Sequence, residues 1–141
     1  MYLLDTNVVS ELRKSTSGKA NLNVIQWASS VEPETLFISV ITVLELEMGI
    51  LSIERRDQQQ GLMLRCWLED QVLPSFEGRI LPIDIAIARK YAELHVPDKR
   101  AERDAMIAAT AVINRMRVVT RNVADFDLAG VEVINPWLST L

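Results

Sequence analysis

Four carboxylates in this sequence stand where acids do chemistry: Asp5, Glu45, Asp104 and Asp125. Asp5 directly follows the apolar run Tyr2-Leu3-Leu4, and Glu45 lies one turn beyond the run Leu36 to Ser39. Asp104 opens the small-residue stretch Asp104-Ala105-Met106-Ile107-Ala108-Ala109-Thr110-Ala111. Asp125 belongs to Arg121-Asn122-Val123-Ala124-Asp125-Phe126, just after Val118-Val119-Thr120. If the apolar runs are parallel strands, these positions share one edge of the sheet, the edge where open α/β sheets bind ligands. Carboxylates brought together repel, raise one another's pKa and destabilise a fold unless a cation sits among them. An all-oxygen donor set favours a hard divalent ion, Mg²⁺ or Mn²⁺. Acids holding such ions are the apparatus of phosphodiester hydrolysis, because the metal activates water and neutralises charge on phosphate.

Each acid also has a purely structural explanation. Asp5 can cap a short helix starting at Asn7. Thr42-Val43-Leu44-Glu45 fits a capping box. Asp104 can cap the helix it opens, and Asp125 can be a turn acid anchored by Phe126 packing inward. Helix starts are where acids normally go. The argument for a shared site is the coincidence of four such positions on one edge. Glu47, two residues past Glu45, lies well around the helix and is expected in solvent.

The elements that must position these acids are legible as alternating signals. Five apolar runs read as strands covered on both faces: Tyr2–Leu4, Leu36–Ser39, Arg79–Leu81, Arg117–Thr120 and Val131–Ile134. Helical stretches fall between them at Asn7–Arg13, Asn21–Ser30, Thr42–Ile53, Glu54–Val72, Asp84–His95 and Arg103–Met116. Pro74 is expected to end the fourth of these, and Gly61 reads as either a break or a weak point within it. Strands alternating with helices imply βαβ crossovers and a parallel sheet with helices on both sides. Without a repeat or a long linker, the 141 residues read as one domain spanning 1–141.

Composition narrows the alternatives. Apolar residues make up 49% and charged residues 24%, as in a packed globular protein and unlike a disordered one. A single cysteine, Cys66, excludes an intramolecular disulfide and a cysteine-rich zinc site. A single histidine, His95, removes most triad and histidine-based metal chemistry, leaving a Cys66/His95 pair as a formal alternative. No apolar run approaches the roughly 18 residues needed to span a bilayer. The opening Met1-Tyr2-Leu3-Leu4-Asp5 lacks the pattern of a signal peptide, so a reducing cytoplasm is the expected compartment. A net charge of −4 and a pI near 5.0 argue against a protein that coats DNA. They leave room for an enzyme that gathers its acids around metal and its Lys and Arg around the rim.

The motifs together resemble those of the PIN-domain ribonucleases, in particular the VapC/FitB group of toxins from bacterial type II toxin–antitoxin pairs. Leu4-Asp5-Thr6-Asn7, with Ser10-Glu11-Leu12 behind it, is similar to the family's first acidic motif. Ser39 to Ile50 resembles the second and places the family acid on Glu45 rather than Glu47. The stretches from Asp104 to Ala111 and from Thr120 to Phe126 resemble the third and fourth. Ile134-Asn135-Pro136-Trp137 is similar to the usual ending. The resemblance implies a three-layer α/β/α sandwich with a five-stranded parallel sheet. It implies Mg²⁺- or Mn²⁺-dependent endonucleolytic cleavage of RNA and inhibition by a cognate antitoxin, in a chain expected to form a homodimer or a hetero-oligomer with that antitoxin. Metal ligation maps onto Asp5, Asp104 and Asp125, with Glu45 completing the catalytic set and positioning or deprotonating the attacking water. Thr6, Asn7, Thr120 and Asn122 are similar to the polar shell that orients those acids, although turn formation explains them equally well.

Two competitors are weaker. A phosphatase of the haloacid-dehalogenase type also places an acid after its first strand, but it wants a second acid two residues on, where this chain has Asn7. A non-catalytic PIN-like module binding nucleic acid or protein would have no need of four mutually repelling acids. Lys99, Arg100 and Arg103 before Asp104, and Arg115, Arg117 and Arg121 after its helix, are candidates for an RNA path or simply a solvated face. Arg13 and Lys14 are candidates by their nearness to Asp5. Trp27, Trp67 and Trp137 read as packing or interface residues, and Cys66 and His95 as structural.

Overall fold

A computed structural model describes residues 1–126 and 130–138. Strand β1 (Tyr2–Leu4) leads into α1 (Thr6–Arg13) and α2 (Leu22–Ser29), and β2 (Leu36–Ser39) into α3 (Val40–Arg56) and α4 (Gln58–Trp67). A π-helical turn, Leu68–Val72, and the short α5 (Leu73–Ser75) return the chain to β3 (Ile80–Leu81). Then come α6 (Ile85–Leu94), α7 (Glu102–Asn114), β4 (Arg117–Val119), α8 (Val123–Phe126) and β5 (Val133–Ile134). All strand pairs are parallel, in the order β3-β2-β1-β4-β5. The chain builds outward from β1 to one edge and then resumes at β4 on the other side of β1. The loops after β1 and β4 therefore diverge at this switch point, which opens a crevice at the carboxyl ends.

The apolar runs are uninterrupted because both faces of the sheet are covered. Leu4, Ile38 and Val119 pack with Val8, Leu46, Ile50 and Leu64 on one face. Their strand neighbours Leu3 and Val118 pack with Ile107, Ala108, Ala111 and Phe126 on the other. This is the expected three-layer sandwich. The alanines of α7 are buried against the sheet, and their small side chains let the helix sit close enough to hold Asp104 beside the strand ends. Among the described residues no helix is long and apolar enough to cross a membrane.

Several boundaries differ from the sequence reading. Helix α3 starts at Val40, capped by Ser39, whose hydroxyl accepts from the Ile41 N–H at 3.0 Å. Thr42 is inside the helix and fully buried, so the capping box at Thr42 does not form. Asp104 is not a cap either, because Ala101 holds that position and Asp104 lies in the first turn. Gly61 is no break. A Cβ there would stand 2.7 Å from the Glu54 Cα, so the glycine is what lets α4 lie against α3. The actual break is at Asp57, which ends α3 and caps α4 by accepting from the Gln60 N–H. Pro74 does not end the helical run but sits at the start of α5, where its missing N–H costs nothing.

Candidate active site

Asp5 is fixed from several directions. Only 4% of its surface is exposed. The Thr6 N–H donates to Oδ1 at 2.8 Å, which makes Asp5 the cap of α1. The Thr120 hydroxyl donates to Oδ2 at 2.7 Å, and Asn7 Nδ2 approaches the same oxygen at 3.3 Å. Thr120 and Asn7 are themselves held by the β4–α8 turn: the Asn122 N–H donates to Thr120 Oγ1, and the Arg121 N–H to Asn7 Oδ1. Asn122 thus acts through its main chain, Asn7 and Thr120 through their side chains, and Thr6 through its N–H toward Asp5 and its hydroxyl toward Glu45. The capping and site readings of Asp5 are compatible, since capping uses one oxygen and the other faces β4.

Glu45 projects from the second turn of α3. The Thr6 hydroxyl donates its single proton to Glu45 Oε1 at 2.8 Å. Thr42, 3.1 Å from Thr6 Oγ1, then donates to that oxygen in turn. Buried Thr42, absent from the sequence-based set, is the base of this hydroxyl chain. The other oxygen of Glu45 accepts from Arg103 Nε at 3.1 Å. Glu47 does not join the site. It is partly exposed and pairs with Arg65.

Asp104 and Asp125 line a cleft of about 250 Å³ together with Leu94, Lys99, Arg100 and Ala101. Among the described residues no donor bonds either carboxylate. Burial pushes Asp104 up to about 6, and the charges of Asp5, Asp125 and Glu45 add to the rise, with Arg103 opposing them. Burial also raises Asp5, with Glu45 and Asp125 contributing, against the lowering effect of its bonds from Thr120 and Thr6. The four acids therefore feel one another's charge, with Asp104 and Asp125 on this cleft, Glu45 and Asp104 on an adjoining one, and Asp5 buried. They form a loose ring rather than meet, for among the described residues no three acid, His or Cys groups come close enough to hold an ion. The donor chemistry fits a hard divalent cation, because the acids offer only oxygen and, among the described residues, Asp5, Asp104 and Asp125 have no cation paired to them.

The basic candidates separate. Lys99 and Arg100 line the cleft, and Arg103 stands at its mouth. Arg117 starts β4, at the opposite end of the sheet from the acids, and pairs with Glu132; Arg115 ends α7 near it. Arg13 covers Trp67, and Arg121 covers Trp137. Trp27 packs edge-on against Tyr2. His95 stacks on Tyr91 and accepts from the Arg100 N–H, so it braces the loop carrying Lys99 and Arg100. Cys66, expected to be structural, is exposed on α4.

Known proteins resemble this chain in sequence and fold. The PIN domain profile matches residues 2–130. Toxin FitB of Neisseria gonorrhoeae is 39% identical over 142 residues, covering 97% of this chain and 99% of its own. VapC ribonuclease Y4jK of Sinorhizobium fredii is also 39% identical over 142 residues, covering 97% and 98%. The crystal structure of FitAcB from N. gonorrhoeae superposes with a TM-score of 0.88 at 37% identity, covering 99% of this chain and 100% of that one. Similarity that runs the length of the chain and persists in three dimensions leaves one assignment: this chain belongs to the PIN domain family.

Proposed function

We propose that this chain is a divalent-metal-dependent endoribonuclease and the toxin of a type II toxin–antitoxin pair. The observation that carries the reading is the ring of Asp5, Glu45, Asp104 and Asp125 at the sheet's switch point, with Asp104 pushed up to about 6 by burial and its acidic neighbours. Relatives named as a VapC ribonuclease and a toxin, both aligned over nearly their full length, support it. A toxin–antitoxin complex from Klebsiella pneumoniae, 28% identical over 96% of this chain and 98% of that one with a TM-score of 0.66, supports the partnership.

Asp5, Asp104 and Asp125 would hold the ion, Mg²⁺ or Mn²⁺, which when bound neutralises phosphate charge and makes water acidic. The chain's own residues do the remaining work. Thr120, Asn7 and the Thr6 N–H prevent Asp5 from rotating, so its charge stays aimed at the mouth. Glu45, tethered by Thr6, is the group that positions the attacking water and takes its proton. Lys99 and Arg100 meet phosphates of the RNA strand, which sets its register without reading its bases. An antitoxin would block this mouth by offering an Arg or Lys to the carboxylates.

Expression of the chain alone should arrest growth, and co-expression of the protein encoded beside it should relieve the arrest through a stable complex. The Asp104→Asn chain should fold and leave growth unaffected. Harmless expression of folded wild type would turn the reading toward a non-catalytic binding module.

A further inference from the structure

Among the described residues, Glu45 is the one acid of the ring with a cation bound to it. Arg103 reaches it from α7, 58 residues away in sequence, across a cleft of about 330 Å³ lined by Glu45, Ala101, Glu102, Arg103 and Asp104. The two oxygens of Glu45 are divided, one to Thr6 inside and one to Arg103 outside. The Arg103 Nη1 also lies 3.9 Å from Met48 Sδ, so the guanidinium sits against α3. Its side chain is 50% exposed while that of Glu45 is 24% exposed, so the pair sits at the lip of the site, reachable by solvent. Arg103 is also the cation whose charge opposes the acids around Asp104.

We propose that Arg103 is a positioning residue that draws Glu45 outward and serves as the internal counter-cation of the acid ring until a divalent ion takes that place. The inference rests on the metal-dependent reading of the same site. Its physical basis is competition. Four carboxylates around one mouth need positive charge, and an arginine at the lip provides it without filling the cleft. An incoming dication meets the repulsion of that guanidinium and competes with it for the charge of Glu45. Removing Arg103 therefore leaves the Glu45 charge uncompensated at the lip and subtracts a like charge, both of which favour the metal. Lysine at the same position keeps the charge and a donor, so it preserves the competition.

Mn²⁺ alone is the probe, titrated into the metal-free full-length chain with free Mn²⁺ followed by electron paramagnetic resonance and folding checked by thermal melts. No RNA is needed and no turnover is read. Arg103→Ala should tighten Mn²⁺ binding on the order of tenfold, a size set by one partly screened ion pair and one removed charge. Arg103→Lys should stay within about threefold of wild type, because it keeps that charge. In a Glu45→Gln background the Arg103→Ala change should lose most of its effect. Unchanged or weaker binding by Arg103→Ala overturns the proposal, as does equal tightening in the Glu45→Gln background, which would mark a general field effect. Wild type that ignores Mn²⁺ overturns the metal reading and this inference together. Wild type that binds while Arg103→Ala changes nothing overturns this inference alone.

Discussion

Two regions of this molecule use the same residue types to opposite ends. Where α3 meets α4, Arg65 contacts Glu47, Glu54 and Glu69. The hydrogen bond from Arg65 holds the Glu47 carboxyl below its ordinary value, and the glutamates in turn raise Arg65. At the sheet's carboxyl edge, Asp5 and Asp104 are both raised, first by burial and then by neighbouring acids. One cluster is built around its cation; the other surrounds a cleft. The first is finished without a ligand, and the second carries an unfavourable charge arrangement that a ligand can relieve. Local electrostatic conflict, rather than the number of acids, is therefore what separates the two clusters.

The sharpest way to break that contrast is at Asp104. Asp104→Asn should reduce Mg²⁺-dependent RNA cleavage by a hundredfold or more, about 3 kcal/mol of transition-state stabilisation. Activity retained in nuclease-free preparations would mean that the acid edge is not the catalytic one. On the other side of the comparison the vulnerable point is steric. Gly61→Ala places a Cβ 2.6 Å from Glu54 Cγ and 2.7 Å from its Cα. Overpacking should cost about 1–3 kcal/mol, outweighing alanine's better helix propensity. A lower urea midpoint checks it, and a midpoint that rises would show that α3 and α4 separate easily.

Electrostatic effects on stability should be smaller and opposite in sign in the two regions. Folded Asp104 keeps its proton up to about 6, whereas the unfolded chain releases it near 3.8. The folded state thus binds more protons across that window, and the metal-free protein loses stability as pH rises through it. Asp104→Asn removes the penalty. Because solvent screens this partly exposed carboxyl, the metal-free chain should gain about 1 kcal/mol at pH 7, a few degrees in Tm, and nothing at pH 3.5. A mutant that melts lower at pH 7 would show that Asp104 is supported rather than repelled.

Glu47 runs the other way. Its lowered carboxyl contributes stability above its ordinary value, which is lost as pH falls through the folded one. Glu47→Gln should cost only a few tenths of a kcal/mol at pH 7, since the pair is largely in solvent, and less still at high salt. A loss as large as that from Gly61→Ala would mean that the Arg65 cluster, and not the glycine contact, holds α4 in place.

How far the sequence reached differs by element. Runs rich in Val, Ile and Leu marked the five strands within two residues, because burial on both faces removes most polar alternation. It also marked the acids at strand ends and helix starts, since those positions follow from chain order. Helix starts were harder. Thr42 looked like a cap, yet Ser39 took that role, because a short hydroxyl at the strand's last residue reaches the Ile41 N–H and leaves Thr42 free to be buried.

What the sequence determined by itself is the alternation of strands and helices, the family, and which carboxylates stand at the sheet's edge. Chain order and apolar periodicity carry that information locally. Only the tertiary structure decided which donors meet those acids. Asp5 and Thr120 are 115 residues apart, Thr6 and Glu45 39, and Arg103 and Glu45 58, so their hydrogen bonds exist only once β1 lies between β2 and β4. The same packing made Glu47 a partner of Arg65 and Glu45 a member of the ring, although the two stand only two residues apart on one helix. A helix turns about 100° per residue, so two steps along it separate an ion pair with α4 from the mouth of the site.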